Sequence, residues 1–358
     1  MKMMLKTFLF ASSLMLAVPW TFAQPVQIGY TNCAAVGSYS QSLINDISRF
    51  RWFFAHASVG GNMIDAIDTL WQTSKTQYPL HSMAEGEMPP ALTQNGVIYE
   101  YQRGNPGAQE KFDSFGTYVT NGWRFPKVHL ALNKLCYIDQ DADVDYYLGS
   151  MTHLEAAFPE TVFVYMTIPL TTATDDDNRK RSVYNDRVRE WTRTNNLVLF
   201  DIADIEAHDT NGVSCLFTNS GRVCERMYDA YSSDGGHLNT EGRNLVASGF
   251  YALGAALLSA DRDNDGMSDG LELIAGTAPT LGTSVFKMQA SNAPEGGIVF
   301  QWPSSANRLY TLQRGTNVAM PDSFTNVLTD VPATPPMNVF TNSPSDPGPY
   351  FYRLQVHQ

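Results

Sequence analysis

Trp52-Phe53-Phe54-Ala55-His56-Ala57-Ser58-Val59-Gly60-Gly61-Asn62 runs from an apolar segment through a glycine turn into amphipathic sequence. Residues 52–55 read as a buried strand. Beyond the turn, Ile64, Ile67, Leu70 and Trp71 recur at helix spacing. Ser58 therefore falls at a strand-to-helix turn. A serine there projects past the sheet edge, and the helix N-terminus offers unpaired N–H groups to a developing oxyanion. Gly60 and Gly61 allow a tight turn and close approach of a substrate. The same residues also suit an ordinary N-cap serine followed by turn glycines. On this stretch alone both readings stand.

Working outward, the pattern repeats. Residues 128–132, 162–166 and 197–200 are further strand candidates; Pro169 follows the second, and the third ends at Asp201. Residues 183–194 read as a helix with Ser182 as N-cap. Val246, Phe250, Leu253 and Leu257 form a sustained apolar stripe on a last helix. Continuous apolar strands separated by amphipathic helices imply a parallel sheet covered on both faces. Ligand sites in such folds lie at the carboxyl ends of the strands. Residues 75–125 and 205–235 lack clean periodicity and read as long loops over that edge.

A nucleophilic serine needs a base, and histidine titrates nearest neutrality. Ser232-Ser233-Asp234-Gly235-Gly236-His237-Leu238-Asn239 stands just before the last helix. An aspartate three residues before the histidine, across two glycines, can curl round to hold the imidazole tautomer and stabilise its cation. The competing reading is a capping loop with a surface histidine. Elsewhere only His208, beside Asp209, has a comparable local acid.

A serine after the first strand and Asp-x-x-His before the final helix together resemble the SGNH hydrolase superfamily of GDSL-like esterases. The likeness spans about residues 48–260. It implies a flavodoxin-like α/β/α three-layer parallel sheet and ester hydrolysis. Ser58 would be the nucleophile, His237 the base and Asp234 the orienting acid. Tyr184-Asn185 and Asp201 are similar to the family's late pattern. Two blocks differ. The first reads Ala57-Ser58-Val59 in place of Gly-Asp-Ser. Asn133-Lys134-Leu135-Cys136 stands where the family has Gly-x-Asn-Asp. The Ser58 backbone N–H remains an oxyanion donor. The further candidates are Gly104 or Gly107, and the side chains of Asn133 or Lys134. Asn133 is also a possible helix cap, and Lys134 a partner for Asp139.

Near residue 260 the composition changes. Asp261-Arg262-Asp263-Asn264-Asp265-Gly266-Met267-Ser268-Asp269-Gly270-Leu271-Glu272 fits a twelve-residue calcium loop. Oxygen ligands fall at Asp261, Asp263, Asp265, Asp269 and Glu272. Met267 stands where the main-chain carbonyl ligates, and Gly266 where the chain turns sharply. Five carboxylates this close repel one another without a cation; the alternative is a solvated acidic linker. Continued through Gly276-Thr277-Ala278-Pro279, the loop resembles the thrombospondin type 3-like calcium repeats of bacterial secreted proteins. A structural Ca2+ is expected. From residue 284 short strand-like pieces (297–302, 309–313 and 350–355) alternate with Pro, Asn, Ser and Thr, as in a small all-β domain. It resembles the β-sandwich modules that end bacterial secreted enzymes. Trp302 and Phe351 there are either core residues or glycan-binding surface.

The 358 residues exceed one ordinary core. The expected divisions are an export signal at 1–23, a hydrolase domain at 24–260, a calcium linker at 261–283 and a β-sandwich module at 284–358. Lys2 and Lys6 precede a short apolar run at 8–18. Thr21-Phe22-Ala23 suits cleavage before Gln24. That run is too short to span a bilayer, so no membrane span is expected. Export to the periplasm or cell exterior permits disulfides. Cys215 and Cys224 bracket a polar loop and are the expected bridge; a Cys33–Cys136 bridge is the alternative to two buried thiols. The net charge of −12, without a Lys/Arg-rich segment, argues against nucleic acid as a partner. The expectation is a secreted serine esterase taking acyl esters, with acetyl groups on polysaccharide as the favoured substrate. The rivals are a lipase or thioesterase of the same fold, and a non-catalytic, calcium-dependent glycan-binding protein.

Overall fold

The computed structural model describes residues 24–84, 95–121, 128–294, 296–343 and 349–357. The expected export signal lies outside them. Seven strands make one sheet: β1 (Val26–Ile28), β2 (Trp52–His56), β3 (His81–Ala84), β4 (Val97–Gln102), β5 (Leu130–Asn133), β6 (Val162–Met166) and β7 (Val198–Phe200). Their order is β1-β7-β6-β5-β2-β4-β3, and every pairing is parallel.

Side-chain alternation along β2 builds two cores. Trp52 and Phe54 join one face with α1 (Tyr30–Ala35), α2 (Gln41–Ile47), α3 (Val59–Thr73), α7 (Ile202–Glu206) and α8 (Thr240–Leu257). Phe53 and Ala55 join the other with α4 (Ala108–Asn121), α5 (Val144–Ala157) and α6 (Asp176–Thr194). All four strand residues are fully buried. Each large side chain contributes roughly 1.5–3 kcal/mol by leaving water. The result is the expected flavodoxin-like α/β/α parallel sheet. From β2 the chain passes to β3 and β4 on one side, then crosses to β5 on the other. The carboxyl end of β2 is thus a topological switch point, where such sheets leave a crevice.

Three expectations need correction. The helix expected at 183–194 starts seven residues earlier, at Asp176. Asp175 caps it by accepting from the Asn178 N–H at 2.9 Å, and Asp176 and Asp177 favour its positive N-terminus. Ser182 lies buried within that helix and accepts from the Glu225 N–H at 3.2 Å. Residues 75–125 are not all loop, since they hold β3, β4 and α4. Glu100 and Gln102 interrupt the apolar run of β4, although Val97, Ile98 and Tyr99 are fully buried. Residues 205–235 include a hairpin, β8 (Leu216–Asn219) with β9 (Arg222–Glu225).

That hairpin bears on the expected bridge. Cys215 and Cys224 are both free thiols, as are Cys33 and Cys136. The register sets Cys224 opposite Phe217. The Cys215 carbonyl accepts from the Arg226 N–H. The two cysteines are therefore offset along the ladder rather than opposed.

Beyond α9 (Asp269–Ala275) the chain forms two three-stranded antiparallel sheets. One contains β10 (Gln289–Asn292), β11 (Ile298–Pro303) and β14 (Met337–Asn342); the other β12 (Leu309–Gly315), β13 (Thr325–Pro332) and β15 (Phe351–His357). Phe300, Trp302, Tyr310 and Leu312 form the core between them. Trp302 is thus a core residue, while Phe351 is exposed. Among the described residues no helix is long and apolar enough to cross a membrane.

Candidate active site

Ser58 stands between β2 and α3 with φ 55° and ψ −114°. A non-glycine residue in this region is strained, and such strain clusters at functional sites. The turn must fold back on its own strand: a Cβ at Gly60 would lie 2.4 Å from His56 Cβ. Ser58 occupies the N-cap position, but its hydroxyl makes no capping bond. It meets His237 Nε2 at 2.7 Å instead. This answers the N-cap reading with geometry.

His237 is held by its own loop. Its Nδ1 lies 2.7 Å from Asp234 Oδ2. Asp234 Oδ1 accepts from the Gly236 N–H at 2.9 Å and the His237 N–H at 2.8 Å. Those two backbone donors, then the imidazole, hold the Asp234 carboxyl well below the usual carboxylate range. Gly235 has φ +88°, and its carbonyl accepts from the Thr172 N–H at 3.0 Å, bracing the loop against the segment after β6. A Cβ at Gly236 would sit 2.9 Å from the Tyr137 ring. Tyr137 packs edge-on to the His237 imidazole, centroids 5.5 Å apart. Both carboxylate and imidazole are partly open to solvent. Ser58 Oγ, the His237 imidazole and the Asp234 carboxylate thus form a continuous hydrogen-bonded chain.

The expected oxyanion donors divide. Gly104, with φ +73°, and Gly107 are exposed after β4. Asn133 and Lys134 are buried. Arg103 Nη1 donates to Asn133 Oδ1, and Arg103 Nη2 to the Lys134 carbonyl at 2.5 Å. Lys134 Nζ donates to the Leu135 carbonyl at 2.9 Å and the Ala57 carbonyl at 3.3 Å. It does not pair with Asp139, which Lys111 Nζ takes at 2.6 Å. Sequence reasoning missed Asn105, Arg103, Lys111 and Tyr137. Asn105 lies between the candidates Gly104 and Gly107, and its Oδ1 accepts from Cys136 Sγ at 2.8 Å.

The acidic loop folds back on its own carboxylates. Asp265 N–H donates to Asp261 Oδ1 and Asp263 Oδ1, each at 3.2 Å. Gly266 N–H donates to Asp261 Oδ2 at 3.0 Å, and Met267 N–H to Asp265 Oδ1 at 2.8 Å. Oxygens of Asp261, Asp263 and Asp265 lie within 4.8 Å of one another. Glu272 is fully buried. Asp263 Oδ2, Asp265 Oδ2 and Glu272 Oε2 are buried without partners. Burial, then Asp263 and Asp265, push the Glu272 carboxyl up to about 8. Asp269 departs from the expected set. Its carboxylate receives Arg262 Nε at 2.5 Å and the Arg262 N–H at 3.0 Å, so it serves an arginine instead of the acidic cluster.

No protein-family model matches the chain, and no curated protein matches it. Solved structures give remote likenesses. A candidate acylhydrolase of Bacteroides fragilis is 13% identical over 55% of this chain and 82% of its own, at TM-score 0.37. A GDSL-like lipase of Bacteroides thetaiotaomicron is 12% identical over 61% and 93%, at 0.38. A candidate lipolytic protein of the G-D-S-L family from Desulfitobacterium hafniense is 10% identical over 57% and 99%, at 0.35. At such scores the likeness carries no statement about activity.

Proposed function

We propose that this protein is a serine esterase. The observation that supports it most is the 2.7 Å contact of Ser58 Oγ with His237 Nε2, on a strained strand-to-helix turn, with Asp234 behind the imidazole. Ser58 Oγ attacks the ester carbonyl carbon as its proton passes to His237 Nε2. The Ser58 N–H receives the oxyanion. Collapse of the tetrahedral intermediate breaks the ester C–O bond, and the alcohol leaves with the proton from His237. Water, deprotonated by His237, then attacks the acyl-enzyme; the acid departs and Ser58 regains its proton.

Acyl esters on polysaccharide, acetyl esters above all, are the proposed substrates. The support is the export-type N-terminal sequence, the C-terminal β sheets and the partly solvent-open histidine. The test is a fluorophosphonate probe on purified protein with the labelled residue mapped by mass spectrometry. Labelling at Ser58, lost in His237→Ala, is expected. Unlabelled Ser58 in folded protein would defeat the reading.

We further propose that one structural Ca2+ binds at Asp261, Asp263, Asp265 and Glu272 with the Met267 carbonyl. Hard oxygen donors suit this ion, and the three unpartnered buried carboxylate oxygens fit a cation there. Asp269 supports the loop through Arg262. Isothermal titration with Ca2+ tests it, and no heat of binding would remove the site.

A further inference from the structure

The buried ammonium of Lys134 has no part in the chemistry described so far, yet it touches the nucleophile turn. Lys134 is fully buried, and Ala57 nearly so. The Ala57 carbonyl has two lone pairs. One accepts from the Gly60 N–H at 3.0 Å, an ordinary turn bond. The other faces Lys134 Nζ at 3.3 Å. Cys136 Sγ is also near, at 3.5 Å. It carries a single hydrogen, and its shorter contact is with Asn105 Oδ1 at 2.8 Å. The strong donor to the Ala57 carbonyl is therefore the lysine.

This carbonyl belongs to the same peptide unit as the Ser58 N–H. Pulling electron density toward the carbonyl oxygen makes the amide hydrogen of that unit more positive, and chained hydrogen bonds polarise one another most where water is excluded. We infer that Lys134 is a positioning residue that acts through the Ala57–Ser58 peptide, fixing the nucleophile turn and strengthening the Ser58 N–H as oxyanion donor. The inference rests on the esterase reading and extends it. It also explains a costly feature: a cation is buried where a methionine would pack without desolvation.

The charged surroundings are compatible with an ammonium at neutral pH. Arg103 and Lys111 repel it, Lys111 being paired with Asp139; an ionised Glu206 favours it, and burial pushes that carboxyl's own value up to about 8. Burial is the largest effect and lowers the Lys134 value to about 8. The ammonium is thus present below about pH 8 and lost above it.

Two measurements test this. First, the Ser58 amide proton is followed by NMR from pH 7 to 9.5 in serine-labelled protein, and assigned by its absence in Ser58→Ala. It should move with a midpoint near 8 in the wild type, and not in Lys134→Met. A static resonance in the wild type overturns the proposal, whether or not Lys134→Met folds. Second, ester hydrolysis is compared in the two proteins. Lys134→Met should lower kcat on the order of tenfold, less than outright loss of an oxyanion donor. KM should be unchanged, and an alkaline decline near pH 8 should disappear. Equal kcat, or a loss of melting temperature with the pH profile retained, makes the lysine merely structural. Failure of the esterase reading looks different: Ser58→Ala would keep its turnover while the amide still titrates.

Discussion

Asn62 Oδ1 accepts a hydrogen bond from the Leu238 N–H at 3.2 Å. One residue is in the first turn of α3, the other next to His237. The bond ties the helix that follows Ser58 to the loop that carries the imidazole. Asn62→Ala should lower kcat roughly tenfold, since small misplacements of reacting groups are expensive. It should cost only about 1 kcal/mol of stability. Unchanged kcat in a folded variant would mean that the Asp234 loop positions His237 unaided.

Removal of the reacting groups should be far more severe. Ser58→Ala and His237→Ala should each reduce ester turnover on the order of 10⁶-fold, and Asp234→Asn considerably less. Asp234 has a depressed value in the fold. Its ordering of the loop is therefore fully present above about pH 4 and lost only as pH falls below that. An acid decline in activity near neutrality belongs to another group. Full turnover in folded Ser58→Ala would end the mechanism.

Gly236→Ala places a methyl 2.9 Å from the Tyr137 ring. Either the ring or the histidine loop must shift. We expect kcat to fall and Gly236→Ala/Tyr137→Ala to regain part of it. Additive losses in the double variant would show that the ring is not what the methyl meets.

Chelation should lower the melting temperature and speed proteolysis between residues 258 and 284. Ligand binding to the folded state alone adds about 2.7 kcal/mol at a hundredfold excess over Kd. Ester turnover at moderate temperature should persist, because the loop lies outside the Ser58–His237–Asp234 chain. Immediate loss of turnover with the fold intact would make the ion catalytic.

Much was legible in the chain itself. The strand at 162–166 has the bounds read from its apolar run, because a strand buried on both faces writes its limits as continuous hydrophobicity. Ser58, Asp234 and His237 could be singled out because each sits in a local glycine-rich turn, although each turn read equally as an ordinary helix cap. Elements with mixed composition were not. β4 hides behind Glu100 and Gln102, whose places on the sheet depend on neighbours remote in sequence. In α4 the spacing of Phe112, Phe115 and Val119 was diluted by polar residues.

Only the tertiary structure could decide the rest. The 2.7 Å contact joins residues 58 and 237, and no local pattern records a separation that long. Pairing of Cys215 with Cys224 depended on hairpin register, which sets Cys224 against Phe217 and Cys215 beside Arg226, two residues away from an opposed pair. Lys134 read as an oxyanion donor or as a partner of Asp139. Its burial against the Ala57 carbonyl follows from β5 lying beside β2. Sequence specifies which groups a turn can present; packing between distant elements specifies what those groups meet.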